Sequence, residues 1–271
     1  MIILLIVSAF SFRYLLSEEL EVTFHHLYSS KITNGTTVRV IVLSDLHNYE
    51  YGEDNQELVE QIRKLKPDII AMAGDMVNQD DPDTSVAESL CRQLKEISPV
   101  YFGLGNHEGT MMYANGIDLY QRFQDAGATV LINQAVEVNV KNNVFLIGSV
   151  AVDEDGYEDY AEAFVEEYEK SDAFKLMISH IPGLYYDKMA DSEIDLGLCG
   201  HYHGGQIQLP FLGGVYSVKY GLFPKYCSGM FEIENGHIFV SRGMGSCDKL
   251  PRINNRPELA VIDINNRKNI S

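Results

Sequence analysis

Val38-Arg39-Val40-Ile41-Val42-Leu43-Ser44-Asp45-Leu46-His47 decides how the rest of the chain is read. Its first six residues are aliphatic and mostly β-branched, broken only by Arg39, the pattern of a strand buried on both faces. Its last four turn polar at the strand's C-terminal end. The same event recurs downstream. Residues 68–73 run into Gly74-Asp75, and 100–104 into Gly105-Asn106-His107-Glu108. Residues 174–178 run into Ser179-His180, and 194–199 into Gly200-His201-Tyr202-His203. Leu58, Ile62 and Leu65 stand at helical spacing before Pro67, and helices are predicted over 84–97 and 117–126. Strands alternating with helices predict an α/β fold, and open α/β sheets bind ligands outside the carboxyl ends of their strands.

Outward from this core, residues 20–32 alternate loosely and predict an edge strand leading to the Asn34-Gly35 turn. Residues 136–140 and 144–150 predict a hairpin around Lys141-Asn142-Asn143, and an acidic helix is expected near 158–170. The chain closes with 230–234, 237–241 and 259–264, which read as antiparallel strands with an Asn235-Gly236 hairpin signal. No repeat, low-complexity tract or linker interrupts residues 18–271, which are read as one domain. Residues 1–17 form a short apolar segment. The first 16, as a helix, reach roughly 24 Å at 1.5 Å per residue, short of the ~30 Å hydrocarbon core of a bilayer. A short membrane anchor is the preferred reading, with an interfacial helix or a buried segment as alternatives.

Composition narrows the functional classes. The 271 residues carry a formal charge of −18, and the 21 Lys and Arg are scattered, which argues against a nucleic-acid groove. Acids between Asp153 and Glu169 read as a solvated helix face. Four cysteines (Cys91, Cys199, Cys227, Cys247) show neither CxxC spacing nor scaffold density; they read as mainly free, with room for one bridge.

The strand-end groups are Asp45, His47, Asp75, Asn106, His107, His180, His201 and His203. Alone, the His201/His203 pair suits a polar turn as well as a metal. One divalent ion takes about four to six ligands, so the whole set exceeds one site and suits two, with a bridging carboxylate. Imidazole nitrogen mixed with carboxylate oxygen suits Mn, Fe or Zn better than Ca or Mg. Two such ions ~3.5 to 4 Å apart form a clamp for in-line displacement at phosphorus.

The ordered set Asp45-Leu46-His47, Gly74-Asp75, Gly105-Asn106-His107-Glu108, Ser179-His180 and Gly200-His201-Tyr202-His203 resembles the five-block signature of the calcineurin-like metallophosphoesterases. The extension Gly204-Gly205-Gln206-Ile207, with Arg242-Gly243-Met244-Gly245 and Asn255-Arg256-Pro257-Glu258, is similar to a bacterial branch carrying an N-terminal membrane segment or export signal. The resemblance implies a four-layer αββα sandwich with two mixed sheets and hydrolysis of a phosphodiester or pyrophosphate. It implies a first metal on Asp45, His47 and His203, a second on Asn106, His180 and His201, Asp75 bridging, and a shared hydroxide as nucleophile. His107 is then a non-ligand, either general acid or stabiliser of the leaving oxygen, beside Glu108. A related branch cleaves a nucleotide-diacylglucosamine pyrophosphate, which makes a lipid-linked substrate of that kind a candidate, and the resemblance to the bacterial membrane-segment branch favours the extracytoplasmic side of a membrane.

One departure stands out: the second block often reads GDxxD in the family, and here Asn78 takes the last position. Arg242, Arg252 and Arg256 are expected to pair with surface carboxylates, with a phosphate clamp by one of them as the alternative, and His25, His26 and His237 read as structural or surface residues. The aromatic-rich stretch 211–230, with Tyr216, Tyr220, Phe223 and Tyr226, packs over the core, walls the cleft or touches lipid. Two other classes compete. A dinuclear amidohydrolase has no need of Gly-Asn-His-Glu, and a metal-binding scaffold has no use for His107.

Overall fold

The computed structural model describes residues 19–150, 159–217, 221–245 and 251–266. The N-terminal apolar segment, Tyr220 and Cys247 lie outside the described residues. The strands of the first half are β1 (Glu21–Tyr28), β2 (Thr37–Leu43), β3 (Ile69–Ala73), β4 (Val100–Gly103), β5 (Thr129–Leu131), β6 (Gln134–Val140) and β7 (Asn143–Ser149). Then come β8 (Phe174–Ile178), β9 (Leu196–Cys199), β10 (Gln208–Leu209), β11 (Gly213–Gly214), β12 (Tyr216–Ser217) and β13 (Gly221–Leu222). β14 (Gly229–Ile233), β15 (Gly236–Val240) and β16 (Glu258–Asn265) close the chain.

Two six-stranded sheets stack face to face, in the orders β1-β16-β2-β3-β4-β5 and β14-β15-β9-β8-β7-β6. Both are mixed. The side-chain period of two explains the layering. In β2, Ile41 and Leu43 face the outer helices, whereas Val38, Val40 and Val42 face the second sheet. Phe145, Ile147, Phe174, Leu176, Ile178, Leu196, Leu198 and Phe239 fill the other side of that inner layer. Helices Gln56–Leu65, Ser85–Leu94 and Leu119–Ala126 cover the first sheet, and Asp159–Tyr168 and Gly183–Asp187 cover the second. The result is the expected four-layer αββα sandwich.

Several details differ from the sequence reading. The last strand does not join the terminal hairpin: β16 crosses to the first sheet, antiparallel to β2 and parallel to the edge strand β1. Its composition explains the place. Leu259 and Val261 bury outward while Ala260, Ile262 and Ile264 bury between the sheets, so both faces need cover. Helix Asn106–Asn115 was not foreseen, because Asn106-His107-Glu108-Gly109-Thr110 carries no apolar period. Cys91, Cys199 and Cys227 are buried free thiols, so no bridge forms among the described residues.

Candidate active site

The C-terminal ends of β2, β3 and β4 meet those of β8 and β9 at one rim of the sandwich. Asp45 and His47 follow β2, Asp75 follows β3, and Asn106 and His107 open the helix after β4; His180 follows β8, and His201 and His203 follow β9. All are buried except Asn106 and His201, which are half-buried. The blocks are tied together through the backbone: Asp45 N–H donates to Gly74 O (3.0 Å) and His47 N–H to Asp75 O (3.1 Å). Five of these residues sit in the left-handed region, Asp45 (φ 53), His47 (φ 50), Asp75 (φ 54), His201 (φ 71) and His203 (φ 46). Each such residue costs about 1–3 kcal/mol and persists only where its surroundings fix it, which is typical of functional sites.

Two glycines make the approach close enough. A Cβ on Gly200 would fall 1.8 Å from Ser44 Oγ and 2.3 Å from Asp45 Oδ2. One on Gly74, at φ 81, would meet His180 Nδ1 at 2.6 Å. Side chains at these positions would push the sheets' rims apart.

Donor atoms converge in groups. Asp45, His47 and His203 present atoms within 4.8 Å of one another, and so do Asp75, His180 and His201. His201 Nδ1 lies 3.0 Å from Asn106 Oδ1, adding that amide to the second group. A third triplet, His47, Asp75 and His107, overlaps the first two. The first two sets include residues that the resemblance assigns to the two metals, Asp75 lies in the second and third, and the third brings in His107, which the resemblance keeps off the metals.

His180 Nδ1 donates to Ala73 O (2.7 Å), which turns Nε2 toward Asp75 Oδ2 at 3.0 Å. His47 Nδ1 is buried without a hydrogen-bond partner. His47 Nε2 and His203 Nε2 face each other at 3.3 Å. A proton holds such contacts in the metal-free chain, and a cation placed among these atoms would take the same lone pairs. In the metal-free chain burial opposes charge on His180, but Asp75 and Asp45 outweigh it and raise the imidazole to about 10. Burial instead drives His47, His201 and His203 down to about 3, leaving them neutral at pH 7, the form in which imidazole ligates. The residues fit two divalent cations.

The known proteins agree on the class. The sequence pattern of the calcineurin-like phosphoesterases matches residues 38–205. The chain belongs to that family. It is a metallophosphoesterase, a hydrolytic enzyme of a family that typically binds a dinuclear metal site. It is 29% identical over 268 residues to the uncharacterized metallophosphoesterase YkuE of Bacillus subtilis (strain 168), covering 93% of this chain and 88% of that protein. It is 27% identical over 235 residues to the phosphodiesterase YaeI of Escherichia coli (strain K12), covering 85% and 83% respectively. Among solved structures, the Haemophilus influenzae NAD nucleotidase superposes with a TM-score of 0.51 at 15% identity. That match covers 79% of this chain and 46% of the nucleotidase, so it speaks for the shared sandwich alone.

In this metallophosphoesterase two further residues organise the rim. Glu108 is fully buried and its carboxylate accepts from Gly105 N–H (2.8 Å), Asp75 N–H (2.8 Å), Met76 N–H (2.7 Å) and Val77 N–H (3.2 Å). One anion thus fixes the ends of β3 and β4. Burial and the Asp75 charge push its acid up to about 7, against those backbone donors. The other is Arg252, 8% exposed and without an ion pair among the described residues. Its guanidinium donates to Arg242 O (2.7 Å) and Gly245 O (2.5 Å) and lies 3.4 Å from His203 Nδ1. Arg242 and Arg256 pair with acids as the surface reading expected, at Glu21 (2.8 Å) and Glu19 (3.7 Å).

The departure at Asn78 also finds its answer. Asn78 Oδ1 turns back to Asp80 N–H (3.3 Å), and the group on His107 is a backbone one: Gln79 N–H donates to His107 Nδ1 (3.0 Å). No side-chain motif encodes that contact. It makes Nδ1 an acceptor, so the proton resides on Nε2, which lies 3.9 Å from Asp75 Oδ2 on the ligand side.

Proposed function

We propose that the chain hydrolyses a phosphodiester or pyrophosphate bond in an amphiphilic, lipid-linked or nucleotide-linked lipid substrate. Asp45, His47 and His203 would hold one divalent cation and Asn106, His180 and His201 the other, with Asp75 between them. Transition metals of the Mn, Fe or Zn kind suit this donor set. When bound, they supply positive charge against the phosphoryl oxygens and acidify a water.

The observation that carries the reading is the convergence of buried donor atoms from Asp45, His47, Asp75, His180, His201 and His203 at one rim, beside a histidine that has its proton on the cluster side. His107 N–H donates to Asp75 Oδ1 (2.9 Å) and so orients that carboxylate. Its Nε2–H is free to donate to a phosphoryl or leaving oxygen. The Gln79 N–H occupies Nδ1, and the stabiliser role is preferred to the general acid.

The diester preference follows the name of the Escherichia coli relative, and the amphiphilic substrate follows the exposed aromatic stretch directly after His203. The apolar residues 1–17 would hold the protein at a membrane, with the extracytoplasmic face preferred. Metal-stripped protein re-supplied with Mn, Zn or Fe is expected to cleave bis-p-nitrophenyl phosphate faster than p-nitrophenyl phosphate. Faster turnover of the monoester would reject the diesterase, and hydrolysis of amides without phosphoesters would reject the class.

A further inference from the structure

Among the described residues, most of the large apolar side chains that stand exposed belong to one stretch: Leu209, Phe211, Leu212, Tyr216, Leu222 and Phe223. They form a rooted tongue. β10 pairs with β11 and β12 with β13, while Val215 N–H donates to Ile207 O (2.9 Å) and Phe223 N–H to Val215 O (2.8 Å), laying three short strands side by side. The root is tight: a Cβ on Gly205 would meet Gly214 Cα at 2.7 Å and Cys227 Sγ at 2.9 Å. His203 lies two residues before Gly205, so the tongue starts at the metal-ligand rim.

Two observations say what covers it. Phe211 (φ 69) and Phe223 (φ 54) are bulky residues in the left-handed region, yet Phe211 is fully exposed and Phe223 is 53% exposed. Backbone strain is thus held where it displays apolar rings rather than where it buries them. The second observation is charge. On a chain of −18, residues 204–231 contain no Asp or Glu, and their charged residues are Lys219 and Lys225. Lys225 is exposed, its Nζ 4.4 Å from the centre of the Tyr226 ring. Apolar tips with Tyr216, Tyr226 and Lys225 near them, in a stretch cleared of acids, match the interface of an anionic bilayer, where rings sit at headgroup level and lysines meet phosphate.

We infer that residues 207–217 and 221–226 form a lip that docks on an anionic phospholipid surface, with Phe211, Leu212, Leu222 and Phe223 entering the acyl boundary and Lys225 at the headgroups. The lip presents the adjoining His203 rim to the lipid layer. This binding surface is separate from the reaction proposed above.

The chain contains no tryptophan, so one introduced indole reports one place. Phe211→Trp is made in the full chain, and Val144→Trp serves as its counterpart. Val144 is 43% exposed at the start of β7, which runs parallel to β8, so it sits at the end of the second sheet away from the histidines. Melting curves check that both fold. With phosphatidylcholine–phosphatidylglycerol vesicles, the Phe211→Trp emission is expected to shift blue and be quenched by brominated acyl chains, and the Val144→Trp emission to stay as in buffer. A Phe211→Trp emission as insensitive as that of Val144→Trp overturns the lip. An equal shift on pure phosphatidylcholine overturns the anionic surface. A blue shift that grows with protein concentration without vesicles assigns the tongue to a second copy of the chain and also overturns it. Turnover of the soluble aryl diester on the same samples reports the reaction independently, so either reading can fail alone.

Discussion

Two buried charges hold the two sides of the rim by opposite means. On the first sheet, Glu108 gathers four backbone N–H groups and so fixes Asp75 and the turn before Asn106. Beside the second sheet, Arg252 gathers two backbone carbonyls of the 242–245 loop and reaches His203. That loop in turn braces Asp45, through Met244 N–H on Ser44 O (2.9 Å) and Gly245 N–H on Asp45 O (2.6 Å). An anion collects donors and a cation collects acceptors. Neither is paired with the other kind of side chain, so each satisfies backbone that sharp turns have left without sheet partners.

The comparison breaks most visibly at Glu108. Each buried donor left unpaired costs about 1–3 kcal/mol, and with water recovering part of that, Glu108→Ala is expected to cost on the order of 4 kcal/mol. At roughly 2–4 °C per kcal/mol, its melting point should fall by about 10 °C, and a fall of only a degree or two would remove Glu108 from this role.

His107 is next. Loss of one preorganised donor costs about 10²–10³ in kcat, so His107→Ala should fall that far on an aryl diester while His107→Gln, which keeps an N–H, retains an intermediate rate. Equal losses in both would restore the general acid.

Arg252→Met should cost roughly 2 kcal/mol, since hydrogen bonds to charged groups contribute about 1.5–3 kcal/mol each and the buried charge is relieved at the same time. Arg252→Lys should recover less than half, because an ammonium cannot span both carbonyls. Full recovery by Lys in denaturant titrations would reduce Arg252 to a point charge.

The smallest effect concerns acid stability at Glu258. Burial pushes its carboxyl up, but His25, the Arg242 charge and N–H, and the Thr23 hydroxyl outweigh that and hold it below its usual 4.5. A depressed folded value stabilises the protein above pH 4.5, and that part is lost as pH falls through the folded value. Glu258→Gln should therefore flatten the acid limb of the stability profile, and an unchanged limb would contradict the assignment.

The sandwich was legible because its inner strands carry apolar residues on both faces and then turn polar at one end, as Val38–His47 does. The partner of β16 was not, since pairing between segments over 200 residues apart leaves no local pattern; only its two buried faces hint at a central place. Donor residues were readable as residue types at strand ends. The Gln79 contact was not, because a backbone N–H has no sequence signature. Arg252 looked like any surface arginine, its burial being set by the loop that folds over it. The tongue's strands are two residues long, too short for periodicity to reveal.

In the proposed reading the rim binds two metal ions and His107 is not among their ligands. Metal-free protein is titrated with Mn or Zn, and bound metal is counted per chain by elemental analysis. Two ions per chain are expected for the native protein, two for His107→Gln, and fewer than two for Asp75→Asn. Saturation at one ion in the native protein, or loss of an ion on His107→Gln, would contradict it.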